Sequence, residues 1–459
     1  MKPKDWDDFL KEIANDYGLG GQARKVFLVR FAYENWCKQD EKLWEPEGAP
    51  SFDAYKSFDA YKKQKTLIYK RFSLDLPEGC SGVNFSQGPG KFQELLDWLR
   101  KKHPEWLRQK TLTFPHEINS KDSGRPLSRN CPFYVKRPPI EEKCYREILY
   151  PGSLIRIRAA EKMGKTSLLR RILAQAEVNR NYTVCLDLRE AELSIFESLD
   201  RFLRWFAANI SRRLGLEPKL DDYWEEEMFG SIVSCSNYFE EHLLKQIDSS
   251  LTLGLDNVDR VFEYHKLAED FLPMLRKWHA KANNLDAWER LQLVIAYSTE
   301  IYIKLDINQS PFNVGLPVRL LGFTLEQVEG LAQLYELDEV MAGGGRYLTS
   351  LQKMVEGHPY LIRLAFDALR REDVKLDKLL QEAPTQGGIY GSHLRHHWSN
   401  LQQQPELAEA MKRVVTADRL VQLEPILAYN LESMGLVKLK GNDVIPSCEL
   451  YYQYFRKHL

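Results

Sequence analysis

The sequence has no run of apolar residues approaching the ~18 that a membrane-crossing helix requires. Its opening, Met1-Lys2-Pro3-Lys4-Asp5-Trp6-Asp7-Asp8, has no apolar stretch of the kind that marks a secretory leader. Neither a membrane partner nor export is expected. Cysteine is sparse: seven residues, at positions 37, 80, 131, 144, 185, 235 and 448, scattered and with no CxxC pair. That argues against a disulfide framework and a zinc site, and for reduced thiols in a cytoplasm. An excess of either charge is lacking too. Lys+Arg total 64 and Asp+Glu 65, a net charge of −1, so coating of nucleic acid by bulk charge is disfavoured and only a local basic patch remains open. No Ser-His-Asp, Cys-His or paired-carboxylate hydrolase signature stands out. What is present is a packed globular composition, 44% hydrophobic, 28% charged and 12% aromatic over 459 residues. Disorder over most of the chain is excluded, and the length points to two to four domains.

Residues 1–112 read as a small helical domain. Phe9, Ile13 and Tyr17 share a helical face, Gly18-Leu19-Gly20-Gly21 ends it, and further helices are expected through Val26–Trp36, 54–72 and 91–102. The hexapeptide SFDAYK occurs twice in tandem from Ser51 to Lys62, too short a repeat for a solenoid. Residues 113–130 carry Pro115, Ser120, Gly124 and Pro126 without periodicity and read as a linker. From 131 to 320 the pattern alternates strand and helix. Strands are expected at 154–157, 183–186, 251–255 and 291–296, with a helix at 166–175 and a helical stripe through Leu193, Phe196, Leu199, Phe202, Leu203, Phe206, Ile210 and Leu214. Such alternation predicts an α/β fold, a parallel sheet with helices on both faces. Residues 321–400 turn helical, opened by Phe323, Thr324 and Gln327 as a staple and capping box, with Pro359 in the first turn of a later helix. The stretch 401–459 reads helix, strand, turn, strand around Lys440-Gly441-Asn442-Asp443, the pattern of a winged helix.

The sharpest motif is Ala159-Ala160-Glu161-Lys162-Met163-Gly164-Lys165-Thr166, placed between the strand 154–157 and the helix that begins Ser167-Leu168-Leu169. Successive backbone N–H groups and a helix N-terminus form a cradle for phosphates. Gly164 lets the backbone close on the anion, Lys165 reaches the β- and γ-phosphates, and the Thr166 hydroxyl holds Mg²⁺. Ala159 stands where the usual first glycine would be, so only the looser P-loop form is met. The alternative is a lysine-bearing turn after a strand. The second half of such a site is an apolar strand ending in acid. Leu251-Thr252-Leu253-Gly254-Leu255-Asp256 fits, with Asp256 placed to hold Mg²⁺ through water. Asn257 follows, where many ATPases place a glutamate. An amide cannot accept a proton, and general-base help is typically worth ~10²–10⁴-fold. Tight binding with slow turnover is therefore expected, with Asp259 as the candidate substitute for the missing acid. The strand 291–296 ends at Ser298-Thr299, where a polar residue could sense the γ-phosphate; a solvent-exposed strand end is the other reading.

The loop, the Asp256-Asn257-Val258-Asp259 strand end and Gly357-His358-Pro359-Tyr360-Leu361 together resemble the AAA-like ATPases of the STAND (signal-transduction NTPase) group. Cys131–Glu141 before the loop and Asp306–Gly315 after the last strand match as well, so the resemblance covers about 129–459. It implies an N-terminal effector part, a P-loop NTPase core, a helical lid and a winged helix, binding ATP or ADP with Mg²⁺. It also places Val135 and Arg137 near the adenine or ribose and brings His358 and Pro359 of the lid to the nucleotide. Arg363, one turn further on, is a candidate lid sensor, with a plain surface arginine as the alternative.

Two other clusters carry candidate roles. His393, His396 and His397 could share a metal but read better as the surface of a lid helix, since no Cys or acidic ligand flanks them. Lys56, Lys62, Lys63, Lys65, Lys70 and Arg71, interleaved with Tyr55, Tyr61 and Tyr69, form a basic segment that could touch DNA phosphates or be a solvated face. The expectation is a cytoplasmic ATP-binding regulatory switch with slow or partner-dependent hydrolysis. It would meet a protein partner through residues 1–112 and could form a homo-oligomer. DNA-handling ATPases and nucleotide-holding scaffolds are the competing classes, and DNA binding is not favoured.

Overall fold

The computed structural model describes residues 3–32, 35, 58–73, 85, 90–113, 125–128, 131–282, 284–298, 311–337, 340 and 346–459. They fall into two compact units, 1–117 and 118–459.

Among the described residues the first unit holds four helices, Pro3–Asp16, Gly21–Phe31, Phe58–Phe72 and Lys91–Thr113. Trp6, Phe9, Phe27, Phe31, Phe72 and Leu99 close one core among them. The Trp6 indole donates to the Phe31 carbonyl at 2.8 Å, and Tyr17 stacks on Phe72 at 4.3 Å between ring centroids. Tyr61 is buried in this core. It is therefore packing, not a base-stacking surface, and the basic face formed by Lys62, Lys63 and Lys70 loses that aromatic. Most of the tandem hexapeptide lies outside the described residues.

The second unit is built on a five-stranded parallel sheet: β1 (Leu154–Arg158), β2 (Tyr182–Asp187), β3 (Leu251–Asp256), β4 (Leu291–Tyr297) and β5 (Leu316–Arg319), in spatial order β2-β3-β4-β1-β5. The α/β fold predicted above is the observed one. β3 and β4 are buried at every position, as their unbroken apolar runs require when helices cover both faces. The helices Leu199–Arg213 and His265–Lys281 pack on one face through Phe202, Phe206, Phe271 and Trp278. The helix Lys165–Val178 packs on the other through Leu168, Leu169, Ile172 and Leu173. This helix sits close because β3 carries Gly254, where a Cβ would come within 2.9 Å of Leu169 and 3.0 Å of Leu173.

The predicted stripe 193–214 is one helix only from Leu199. Ser198 caps it by accepting the Arg201 N–H, while Leu193 lies in a 3₁₀ turn, 63% exposed. The cap, a strong stop signal, overrides the apolar periodicity.

From β1 the chain runs to the far edge strand β2, returns through β3 and β4, and then crosses to the opposite side of β1. The carboxyl ends of β1 and β4 therefore flank a topological switch point, the place where open α/β sheets leave a crevice. Beyond β5 come the helices Leu325–Leu334, Arg346–Val355, Pro359–Arg370, Leu376–Glu382 and Gly391–Gln402, the first with a full capping box between Thr324 and Gln327. Last come the helices Pro405–Thr416 and Pro425–Ser433, an antiparallel pair β6 (Val437–Lys440) and β7 (Asp443–Pro446) turning at Gly441, and the helix Glu449–His458. No helix among the described residues is long and apolar enough to cross a membrane.

Candidate functional site

The loop after β1 closes on itself. Gly164 has φ 96, ψ 18, the left-handed conformation that glycine tolerates, and it caps the helix Lys165–Val178. The Lys165 ammonium lies inside the loop and donates to the Ala159 carbonyl at 2.9 Å and the Ala160 carbonyl at 2.8 Å. Burial pushes it down to about 8, opposed by the nearby charges of Asp259 and Asp256. Thr166 and Asp256 meet directly, with the hydroxyl donating to Asp256 Oδ2 at 2.6 Å. The Asp256 carboxyl is raised above its ordinary value, first by burial and then by the charge of Asp187, with the Thr166 hydrogen bond opposing. The loop and the strand-end acid picked out from the sequence are thus one site.

A cavity of about 460 Å³ opens over this loop. Its walls carry eight cationic side chains (Arg125, Arg137, Lys162, Lys165, Arg170, Arg189, Arg213, Arg363) against four acidic ones (Glu161, Asp187, Glu190, Asp256). That balance suits a polyanion. Val135, Gly164, Ser167 and Pro359 also line it. Arg137 is buried, donates from Nη2 to the Met163 carbonyl at 2.9 Å and lies over the Phe323 ring. Its Nε and Nη1 are buried without a partner among the described residues, where buried donors ordinarily have an acceptor. Glu141 fixes the backbone beneath Arg137 by accepting its N–H on both carboxylate oxygens at 2.9 Å. For a divalent cation, Thr166 Oγ1 and the Asp256 carboxylate are the hard oxygen donors that Mg²⁺ prefers.

Several expectations need correction. Asp259 does not line the cavity. Its Oδ1 accepts the Ser298 backbone N–H at 2.8 Å, tying the end of β3 to the end of β4, and its Oδ2 faces Arg189 at 3.9 Å. Thr299 lies outside the described residues, while its neighbour Ser298 lines the cavity. Arg363 is not a surface arginine. It is 8% exposed, its Nε lies 3.5 Å from the Tyr335 hydroxyl, and it lines the cavity. His358 does not line this cavity but a second one, together with Ala159 and Met163. Burial pushes the His358 imidazole down to about 4, with the backbone of His358 and of Glu161 opposing. His393 and His397 are buried, not a lid surface, and the His393 ring meets the Tyr451 hydroxyl at 2.7 Å. Only His396 of that group is exposed, 3.3 Å from Glu161. Among the described residues no cluster of His, Cys, Asp and Glu has a metal-binding arrangement. Part of the predicted linker belongs to the site: Leu127 N donates to Ser167 Oγ at 3.0 Å, and Arg125, Pro126 and Leu127 line the cavity.

Asp187, Arg189, Arg170 and Tyr360 line the cavity although the sequence motifs above gave them no role. Asp187 was findable, because Thr183-Val184-Cys185-Leu186-Asp187 is a second apolar strand ending in acid.

The loop is also a junction. Lys162 Nζ lies 4.5 Å from the centre of the Tyr360 ring, on the helix Pro359–Arg370. At Ala160 the C-terminal segment comes so near that a Cβ on Gly435 would sit 2.7 Å from the Ala160 Cβ. Glu432 receives Arg319 at 2.8 Å and Arg158 at 3.6 Å, and Lys438 pairs with Glu356 at 2.6 Å.

The profile of the AAA-like domain family matches residues 123–457, and the chain belongs to that family. Among solved structures it is similar to the Walker-type ATPase PABY2304 of Pyrococcus abyssi, with 15% identity and a TM-score of 0.51 over 72% of this chain and 98% of that one. A weaker likeness, TM-score 0.42 at 13% identity over 75% of this chain and 98% of that one, is to the ORC2 protein of Aeropyrum pernix. Among curated sequences it is 23% identical over 290 residues to an uncharacterised WD repeat-containing protein of Synechocystis sp., covering 60% of this chain. The matched part is 23% of that relative's length.

Proposed function

We propose that the chain is an ATP- and ADP-binding regulatory switch of the STAND type, with slow turnover. The observation that carries this reading is the joint placement of Lys165 inside its own loop and Thr166 on Asp256, under a cation-rich cavity. Lys165 takes the β- and γ-phosphates, while Thr166 and Asp256 hold Mg²⁺. The metal, when bound, neutralises phosphate charge and orders the tail. The loop residues Ala159 through Ser167 wrap the phosphates, and Val135 and Arg137 take the ribose and base side. Pro359, Tyr360 and Arg363 face the nucleotide from the lid.

Residues 405–459 act as a winged helix that packs on the core and reports the nucleotide state. The helical unit at the N-terminus engages a protein partner, and opening exposes surfaces for homo-oligomer formation. A relative that carries WD repeats supports a modular setting of this kind. DNA contact is not favoured, since Tyr61 of the basic segment is committed to a core.

The test is nucleotide content and affinity of the purified chain beside Lys165→Ala. Loss of charge-assisted hydrogen bonds worth about 1.5–3 kcal/mol weakens ATP binding by roughly 10- to 150-fold. Equal affinity in the two proteins would remove the reading.

A further inference from the structure

A group that takes a proton from water speeds hydrolysis, and the residue after Asp256 cannot do so. Asp259, the next acid along the chain, does not line the cavity, and both its oxygens are engaged, Oδ1 by the Ser298 N–H and Oδ2 by Arg189 at 3.9 Å. The fold brings a carboxylate from a different strand. Asp187 ends β2, stands opposite Asp256 in the β2–β3 register, and lines the cavity with Lys165 and Thr166. Its Oδ1 is held twice, by Asn257 Nδ2 at 2.8 Å and by the Arg189 backbone N–H at 2.9 Å. Both holds fall on the same oxygen, and among the described residues no hydrogen bond reaches Oδ2. Asn257 sits at φ 54, ψ 43, a left-handed conformation in which asparagine is among the best-tolerated non-glycine residues. Asn257 is therefore in place of a base in sequence but not in function: it aims one.

We propose that Asp187, positioned by Asn257, is the general base for ATP hydrolysis in this chain, a role that rests on the nucleotide reading above. Asp187 Oδ2 accepts a hydrogen bond from the attacking water. As the water oxygen bonds to the γ-phosphorus, the bridging bond to the β-phosphate oxygen breaks, and its electron pair stays with ADP beside Lys165. The water proton passes to Asp187, which is only half-buried and returns it to solvent. The products are ADP and inorganic phosphate.

The experiment compares wild type, Asp187→Asn, Asn257→Ala and the exchange Asp187→Asn/Asn257→Glu. It measures affinity for a fluorescent ATP analogue with Mg²⁺ and single-turnover hydrolysis at a single pH. Asp187→Asn should bind within about threefold of wild type yet hydrolyse ~10²–10⁴-fold more slowly, the usual range for a general base. Asn257→Ala, which leaves the base present but unaimed, should lose about tenfold in rate without loss of affinity, and the exchange should recover at least tenfold over Asp187→Asn. A wild-type rate in Asp187→Asn overturns the proposal, as does a wild-type chain that binds ATP but turns none over. Absence of nucleotide binding in wild type would instead overturn the underlying reading.

Discussion

Gly435 and Gly441 lie on the same C-terminal segment, both with positive φ, 78° and 66°. Their surroundings differ. A Cβ at Gly441 meets nothing within 4 Å, whereas one at Gly435 would stand 2.7 Å from Ala160 of the phosphate loop. Replacing either with alanine costs roughly 1–2 kcal/mol for the left-handed backbone. Only Gly435→Ala adds an overlap, and Ala160 Cβ, fixed to the backbone, cannot swing aside. Overpacking of this kind costs about 1–3 kcal/mol, and it is relieved only by lifting the C-terminal segment off the loop. If release of nucleotide requires that separation, the open state gains by the same amount, a factor of roughly 5 to 150. The assay is displacement of a fluorescent ADP analogue by excess unlabelled ADP in stopped flow. Thermal scans of both variants would confirm that they fold. Gly435→Ala should release several-fold to a hundredfold faster than wild type and Gly441→Ala within about twofold of it. Equal rates in the two variants would refute the claim that this contact gates the site.

Two further outcomes follow. Thr166→Val keeps the volume but removes the donor to Asp256, which is 2% exposed; urea unfolding should show a loss of about 1.5–3 kcal/mol, and Mg²⁺ should no longer strengthen ATP binding. His358 and His397 are pushed down by burial to about 4 and about 3, so the unfolded chain binds more protons below the ordinary imidazole value of about 6.5. Stability is then complete above that pH and falls as pH drops toward 4, by roughly 3 kcal/mol for His358 alone. Melting temperatures between pH 7.5 and 5 should decline less steeply in His397→Asn than in wild type, and identical profiles would count against the buried-histidine account.

What the sequence revealed and what it hid divide along physical lines. The loop, its strand and Asp256 were legible because each is written in a few consecutive residues: an unbroken apolar run, then an acid, or a glycine and lysine ahead of a helix. Thr324 and Gln327 were legible for the same reason, since a capping box closes within four residues. Arg363 was not, because its burial depends on Tyr335, 28 residues earlier in the chain. His393 and His397 pack against the last helix, whose Tyr451 approaches His393 from 58 residues away, and His393 also meets His358 and Tyr360. Arg125–Ser128 has the composition of a linker, and its place in the cavity wall comes from tertiary contact, including the hydrogen bond of Leu127 N to the Ser167 hydroxyl. Asp187 carried a readable signal, an acid closing an apolar strand, but its meaning comes from register, which sets it beside Asp256.

The same geometry explains how a small anion could move a large structure. Lys165 donates to the carbonyls of Ala159 and Ala160. Phosphate oxygens, being charged, compete for that ammonium with stronger hydrogen bonds, so on the proposed reading binding frees those two carbonyls. Ala160 is the residue against which Gly435 rests, and the next two residues face other elements: Glu161 pairs with His396, and Lys162 lies over Tyr360. Three successive positions of one loop thus each meet a different helix or turn of the C-terminal half. A shift of the loop backbone by even a few tenths of an ångström acts on all three contacts, and close-packed interfaces respond by changing arrangement rather than by stretching. Differential contact of this kind is what a ligand needs in order to shift a conformational equilibrium.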